Sequence, residues 1–115
     1  GHTFGHAIEA MTSYSDWLHG EAVGCGLVLA AELSCLLGAL SASDVQAVES
    51  AVSRAGLPTR VEGLSALKAI EMMRGDKKTE AGQIRFIVLD QIGRAMQRTV
   101  PHALLLQALN SRGFV

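Results

Sequence analysis

The chain lacks most of the features that mark specialised protein classes. It has two cysteines, Cys25 and Cys35, with neither a Cys-x-x-Cys pair nor a Cys/His metal spacing. That excludes a disulfide framework and a zinc ribbon, and predicts two reduced, buried thiols in a cytosolic protein. It lacks a surplus of charge: the formal net charge is -1 and no arginine-lysine cluster is long enough to outweigh that balance. Nothing in that balance calls for nucleic acid or an anionic membrane as a partner. No secretion signal is visible in these residues. The apolar stretch 22–40 is interrupted by Glu32 and three glycines, so it is expected to be a core helix rather than a membrane span. It has no internal repeat, no low-complexity tract, no Walker pattern and no Gly-x-Gly-x-x-Gly loop after a strand. A dinucleotide would therefore have to be bound mainly elsewhere.

What is present is a sequence of 115 residues that is 49% hydrophobic and 18% charged, enough for one globular domain and too short for two. It starts without Met, inside what reads as a working motif, and is expected to be a fragment of a longer protein. A tag remnant would also begin Gly-His, and would take His2 out of the argument.

Hydrophobic spacing predicts mainly helix. Phe4, Ala7, Ile8 and Met11 mark a first helix over about 3–12. Asp16 is the expected cap of a second helix over about 17–37, apolar nearly all round and so central to a bundle. Gly24 and Gly26 suggest close helix packing or approach to a ligand, and Gly38 a helix end. The Ser41–Asp44 segment starts a third helix with Val45, Val48, Ala51 and Val52 inward, stopped by Gly56 and Pro58. Ser65 caps a fourth, with Leu67, Ile70 and Met73 inward and Gly75 at its end. Residues 84–89 and 95–100 read as one short β-hairpin. Pro101 opens a last helix, with Ala103, Leu104, Leu105, Leu106 and Leu109 apolar. The expected fold class is a mainly α helical bundle with one short β-hairpin.

Three of the four histidines fall in the first nineteen residues. Imidazole binds transition metals and moves protons near neutral pH. His2 and His6 are four residues apart, on one face of a helix. A catalytic zinc site usually takes three protein ligands and leaves a position open. His2 and His19, at adjacent helix ends, can supply two, and a carboxylate the third. Glu9 and Glu21 are near at hand. Either fits as a ligand, or as the group that holds an imidazole N–H from behind. The spacing is not the His-Glu-x-x-His of a zinc protease. His102 has no partner histidine nearby and reads as structural or exposed. Asp76-Lys77-Lys78 reads as a loop whose lysines can bind phosphate or carboxylate as point charges, strengthened if Arg74 and Arg85 converge on it. Arg94 and Arg98 read as the polar face of the hairpin.

Gly-His-Thr-Phe-Gly-His-Ala-Ile-Glu (1–9) followed by Leu-His-Gly-Glu-Ala-Val-Gly-Cys-Gly-Leu-Val (18–28) closely resembles the central signature of the 3-dehydroquinate synthase family. Asp76-Lys77-Lys78, then Gly-Gln-Ile-Arg-Phe-Ile-Val-Leu (82–89) and Ile92-Gly93, follow in the family's order. The resemblance covers essentially residues 1–115, as the family's C-terminal metal- and substrate-binding helical domain. It implies an enzyme of the shikimate pathway, a phosphate-eliminating lyase of aromatic amino acid biosynthesis, converting the keto acid phosphate DAHP to 3-dehydroquinate and phosphate. It implies tightly bound NAD, recycled in each turnover, and a divalent metal, zinc or cobalt.

Carried onto this chain, the resemblance implies His2 and His19 as metal ligands and His6 as a histidine beside the substrate phosphate. One of Lys77 and Lys78 would reach the substrate, with a slight preference for Lys78. Glu21 would support the site, and Glu9 would be structural or supporting. The third metal ligand, a Glu, and the NAD-binding α/β domain would lie upstream, so the fragment alone is expected to be inactive. The same resemblance implies a cytoplasmic enzyme and a homodimer when full length. A related sugar-phosphate cyclase shares the histidines. The metal-dependent polyol or alcohol dehydrogenases share the architecture but fit the two signature blocks less well. A non-catalytic helical module is the alternative from another class.

Overall fold

The computed structural model describes residues 2–12, 17–76, 79–80, 83–91 and 94–115, with side chains described for all of these except 2, 3, 74–76, 79, 80, 83–91 and 94–99. Helix α1 is His2–Met11, α2 is His19–Leu36, α3 is Ala42–Arg54, α4 is Ala66–Asp76 and α5 is His102–Ser111. Between α4 and α5 lie strands β1 (Thr79–Glu80), β2 (Gln83–Gln91) and β3 (Arg94–Val100). They pair antiparallel in the order β1-β2-β3. Ile84 stands opposite Val100 and Leu89 opposite Ala95, with an irregularity between Leu89 and Gln91. The sequence pattern did not mark β1. Residues 92–93, which link β2 to β3, lie outside the described residues.

Helix α2 is the hub. It packs against α1, α3, α5 and β2. It is long and apolar enough to cross a bilayer, but 56% of it is buried inside the protein, as a core helix is. Its composition explains how so many neighbours fit. Ala22, Cys25, Leu29 and Leu33 enter the main core with Phe4 and Ile8 of α1, Ile70 and Met73 of α4, and Leu105 and Leu109 of α5. Ala31 faces another way, into a smaller cluster with Leu40 and Val45. Gly24 lets the Leu57 side chain close on the helix: a Cβ there would meet Leu57 Cδ1 at 3.0 Å. Truncating a fully buried leucine such as Leu29 costs about 2–5 kcal/mol in a core of this kind.

The helix ends follow local chemistry. Leu37 caps α2, and Gly38 beyond it takes φ +79°, a left-handed conformation that glycine adopts without a Cβ penalty. Its N–H donates to Cys35 O at 2.9 Å. Ser41 caps α3 by accepting from the Asp44 N–H at 3.2 Å, and Ser65 Oγ accepts from the Lys68 N–H at 3.3 Å. Pro101 is the N-cap of α5. After α5 the tail turns at Gly113, φ +97°, where a Cβ would sit 1.9 Å from Val61 O. That turn lets Val61 N–H donate to Arg112 O and Val115 N–H to Leu64 O.

Several expectations are corrected. Asp16, the expected cap of α2, lies outside the described residues; the N-cap is Leu18 and the helix begins at His19. Leu67 is 61% exposed, and the buried positions of α4 are Ala66, Ala69, Ile70 and Met73. Ala51 of α3 and Ala103 of α5 are exposed. Helix α4 runs one residue past Gly75. Cys35 is only half-buried, while Cys25 is buried; both are free thiols.

Candidate metal and substrate site

Helices α1 and α2 pack closely, and the place where they meet carries the signature residues. Gly5 makes the approach tight: a Cβ on it would lie 3.3 Å from Ala22 O and 3.4 Å from Val23 Cα. One turn further along α1 stands Glu9, and one turn back along α2 stands His19. Their side chains meet, with His19 Nδ1 3.0 Å from Glu9 Oε1. The two differ sharply in exposure, 63% for the His19 side chain and 12% for that of Glu9. A carboxylate this buried needs a hydrogen-bonding partner, and the imidazole provides one.

The backbone on both sides of the contact is tied down. Leu18 N–H donates to Glu21 Oε1 at 2.8 Å, half of a capping box, which satisfies an otherwise open donor at the start of α2. Thr12 Oγ1 donates to Ile8 O at 2.9 Å, closing the last turn of α1. Glu21 thus serves the helix start. The carboxylate that reaches His19 is Glu9, across the helix pair. Sequence spacing made the two glutamates equivalent, since each lay near a histidine. The signal that separates them is the Leu18-x-x-Glu21 capping pattern.

His6 is exposed on α1, one turn from His2 and three residues before Glu9. His2 is the first residue of α1, and its side chain lies outside the described ones. Lys77 and Lys78 lie outside the described residues, directly after Asp76, the last residue of α4. Helix α4 itself packs against α1. The side chains of Arg74, Arg85, Arg94 and Arg98 are also outside the description. His102 is exposed at the first turn of α5. Among the described residues no group of three or more His, Cys, Asp or Glu side chains converges as a metal would need.

The donor set nonetheless suits a divalent cation in part. An imidazole backed by a carboxylate on one nitrogen is the usual form of a metal-binding histidine, and this one is well exposed at a helix start. A polar cleft of about 350 Å³ lies elsewhere, lined by Glu49, Ser50, Ser53, Arg54 and Thr59, and none of the signature residues lines it.

Beside that cleft an ionic cluster joins three helices. Arg112, at the end of α5, donates to Glu49 of α3 and lies 3.9 Å from Glu32 of α2. Ser111 Oγ donates to the same Glu32 oxygen at 3.0 Å. Arg112 Nε is buried without a partner among the described residues. Nearby, burial pushes the Cys25 thiol up to about 11, partly offset by the Arg112 charge.

Comparison with known proteins gives a consistent picture. The family described as "3-dehydroquinate synthase C-terminal" matches residues 1–79. Curated proteins named 3-dehydroquinate synthase from Bordetella pertussis, Bordetella parapertussis and Bordetella bronchiseptica are each 51% identical to it over 109 residues. Those alignments take in 95% of this chain and 30% of each relative, so the chain spans about a third of their length. Among solved structures, a 2-deoxy-scyllo-inosose synthase complexed with carbaglucose-6-phosphate, NAD+ and Co2+ superposes with a TM-score of 0.78. That match covers 96% of this chain and 33% of the other at 21% identity, and shows that the fold is shared.

Proposed function

The chain belongs to the 3-dehydroquinate synthase C-terminal family, and from that premise we propose that it is the metal- and substrate-binding domain, residues 1–115, of an enzyme converting DAHP to 3-dehydroquinate and phosphate. The activity belongs to this domain joined to an upstream α/β domain, working as a homodimer. The enzyme acts in the cytoplasm, a reducing compartment that suits its two free thiols.

His2 and His19 hold the metal, with the third ligand supplied by the upstream domain. The ion is cobalt, as named with the structural neighbour, or zinc. When bound, it polarises substrate hydroxyl and carbonyl oxygens as a Lewis acid. NAD, also named with that neighbour, is held by the upstream domain, because this chain carries no glycine-rich dinucleotide loop. His6 orients the substrate phosphate or carries a proton to it, from the helix face that also bears His2. Lys78, assisted by Lys77, binds an anionic group of the substrate as a point charge.

The observation that supports this reading is the meeting of α1 with the start of α2. It sets an exposed imidazole, backed by a carboxylate, against the helix that carries His2 and His6. The test is metal analysis and DAHP-dependent phosphate release in the intact enzyme. His2→Ala and His19→Ala should each lose the bound cobalt or zinc and nearly all activity. Full metal retention in both variants would overturn the ligand assignment. A second reading, a related sugar-phosphate cyclase, is favoured by the shared fold with the 2-deoxy-scyllo-inosose synthase. Phosphate release from a glucose 6-phosphate-type substrate in place of DAHP would select it.

A further inference from the structure

We propose that Glu9 is a positioning residue for the metal site: its carboxylate fixes the tautomer and ring angle of His19, so that Nε2 is the ligating atom. The proposal rests on His19 being a ligand and adds the residue that prepares it. A carboxylate oxygen accepts, so at 3.0 Å the Nδ1 of His19 is the donor. A neutral imidazole with its proton on Nδ1 carries its lone pair on Nε2. The contact therefore selects one of two tautomers and defines which nitrogen meets a cation.

The geometry around the pair serves this purpose. Glu9 is 9% exposed, between the fully buried Ile8 and the tied last turn of α1, so its carboxylate has little freedom. His19 is the exposed partner, with a side chain 63% exposed at the first position of α2. Left alone, such a side chain samples several rotamers, and each must be given up when a metal binds. Glu9 holds the ring from α1 while Glu21 holds the backbone of the preceding residue, Leu18, from within α2. The ring and the backbone that bears it are thus fixed by two separate carboxylates. A carboxylate behind the imidazole also raises its basicity, which strengthens the bond made by the other nitrogen.

The intact enzyme, metal-free and with 15N-labelled histidine, reports the tautomer of His19 directly by long-range 1H–15N correlation. Co2+ titration, followed by its visible absorption, reports affinity and coordination. In the parent enzyme His19 should be in the Nδ1–H form. Glu9→Ala should move it toward the mixture of a free imidazole and weaken Co2+ binding by about 10–100-fold. If Glu9→Ala fails to fold, Glu9→Gln is measured instead; loss of the charge should shift the His19 resonances and weaken Co2+ binding measurably. Unchanged affinity and an unchanged tautomer in the measured variant overturn the proposal. In Glu9→Ala, weakened affinity with the Nδ1–H form intact overturns it as well, since Glu9 would then be only a tie between two helices. His19→Ala separates the two levels of the argument. If it leaves Co2+ affinity unchanged, the ligand assignment itself fails; if it abolishes binding while Glu9→Ala changes nothing, only the role of Glu9 fails.

Discussion

Gly5 lies directly on the backbone of Ala22, close enough that a Cβ at residue 5 would stand 3.3 Å from the Ala22 carbonyl oxygen. The atom it would meet is backbone, which cannot swing aside as a side-chain tip can. Gly5→Val should therefore push α1 and α2 apart and lower stability by about 1–3 kcal/mol. The Glu9–His19 contact is one turn away along both helices, so the same change should also weaken metal binding. Urea unfolding and Co2+ titration of the intact enzyme measure the two effects. An unfolding midpoint equal to that of the parent would show that the helices have room to spare.

Arg112 ties the end of α5 to α2 and α3. Removing one partner from a buried ion pair commonly costs about 3–5 kcal/mol. Here the Glu49 and Glu32 side chains are 37% and 22% exposed and water can compensate them in part. Arg112→Ala should accordingly cost less, about 1–3 kcal/mol, read as a lower midpoint in urea. Arg112→Met keeps the apolar stem and should recover part of the loss.

The helices were legible because their apolar residues repeat at helical spacing, but the face of each was harder to read. In α4 the buried set is Ala66, Ala69, Ile70 and Met73, an i, i+3, i+4, i+7 series. Following residue size instead of phase selects Leu67, which is exposed, and passes over two alanines. The start of α2 was misplaced because a cap is sought before the helix, and here the capping carboxylate, Glu21, comes from inside it. The signature blocks were legible from family resemblance, which the family match over residues 1–79 bears out. The Glu9–His19 contact was not, because ten residues and a change of helix separate the two. Which glutamate reaches the ring depends on how α1 rolls against α2, and Gly5 takes part in setting that.

The two lysines after α4 should separate under mutation. If Lys78 meets an anionic group of the substrate, Lys78→Met removes a charge-assisted hydrogen bond worth about 1.5–3 kcal/mol, or roughly 10–100-fold in kcat/KM. Lys77→Met should cost less than that. Steady-state phosphate release from DAHP in the intact enzyme decides it. The opposite order would make Lys77 the contact.

Cys25 gives the domain a predictable weakness in alkali. Its thiol is pushed from its ordinary 9.0 to about 11, mainly by burial, with the Arg112 charge acting the other way. The folded protein therefore keeps this proton over a range in which the unfolded chain has lost it. The stabilisation is fully present below pH 9.0 and is lost as the pH rises through about 11. At the order-of-magnitude level it amounts to about 2–3 kcal/mol. Other groups titrate in the same range, so the informative quantity is the difference between the parent and Cys25→Ala. Between pH 8 and 11.5 the parent should lose that much more stability than the variant; parallel curves would show that the thiol does not contribute. The same burial should protect Cys25 from iodoacetamide at neutral pH, where the thiolate is the reacting species. Half-buried Cys35 should be alkylated first, and mass mapping of the labelled peptides would show the order.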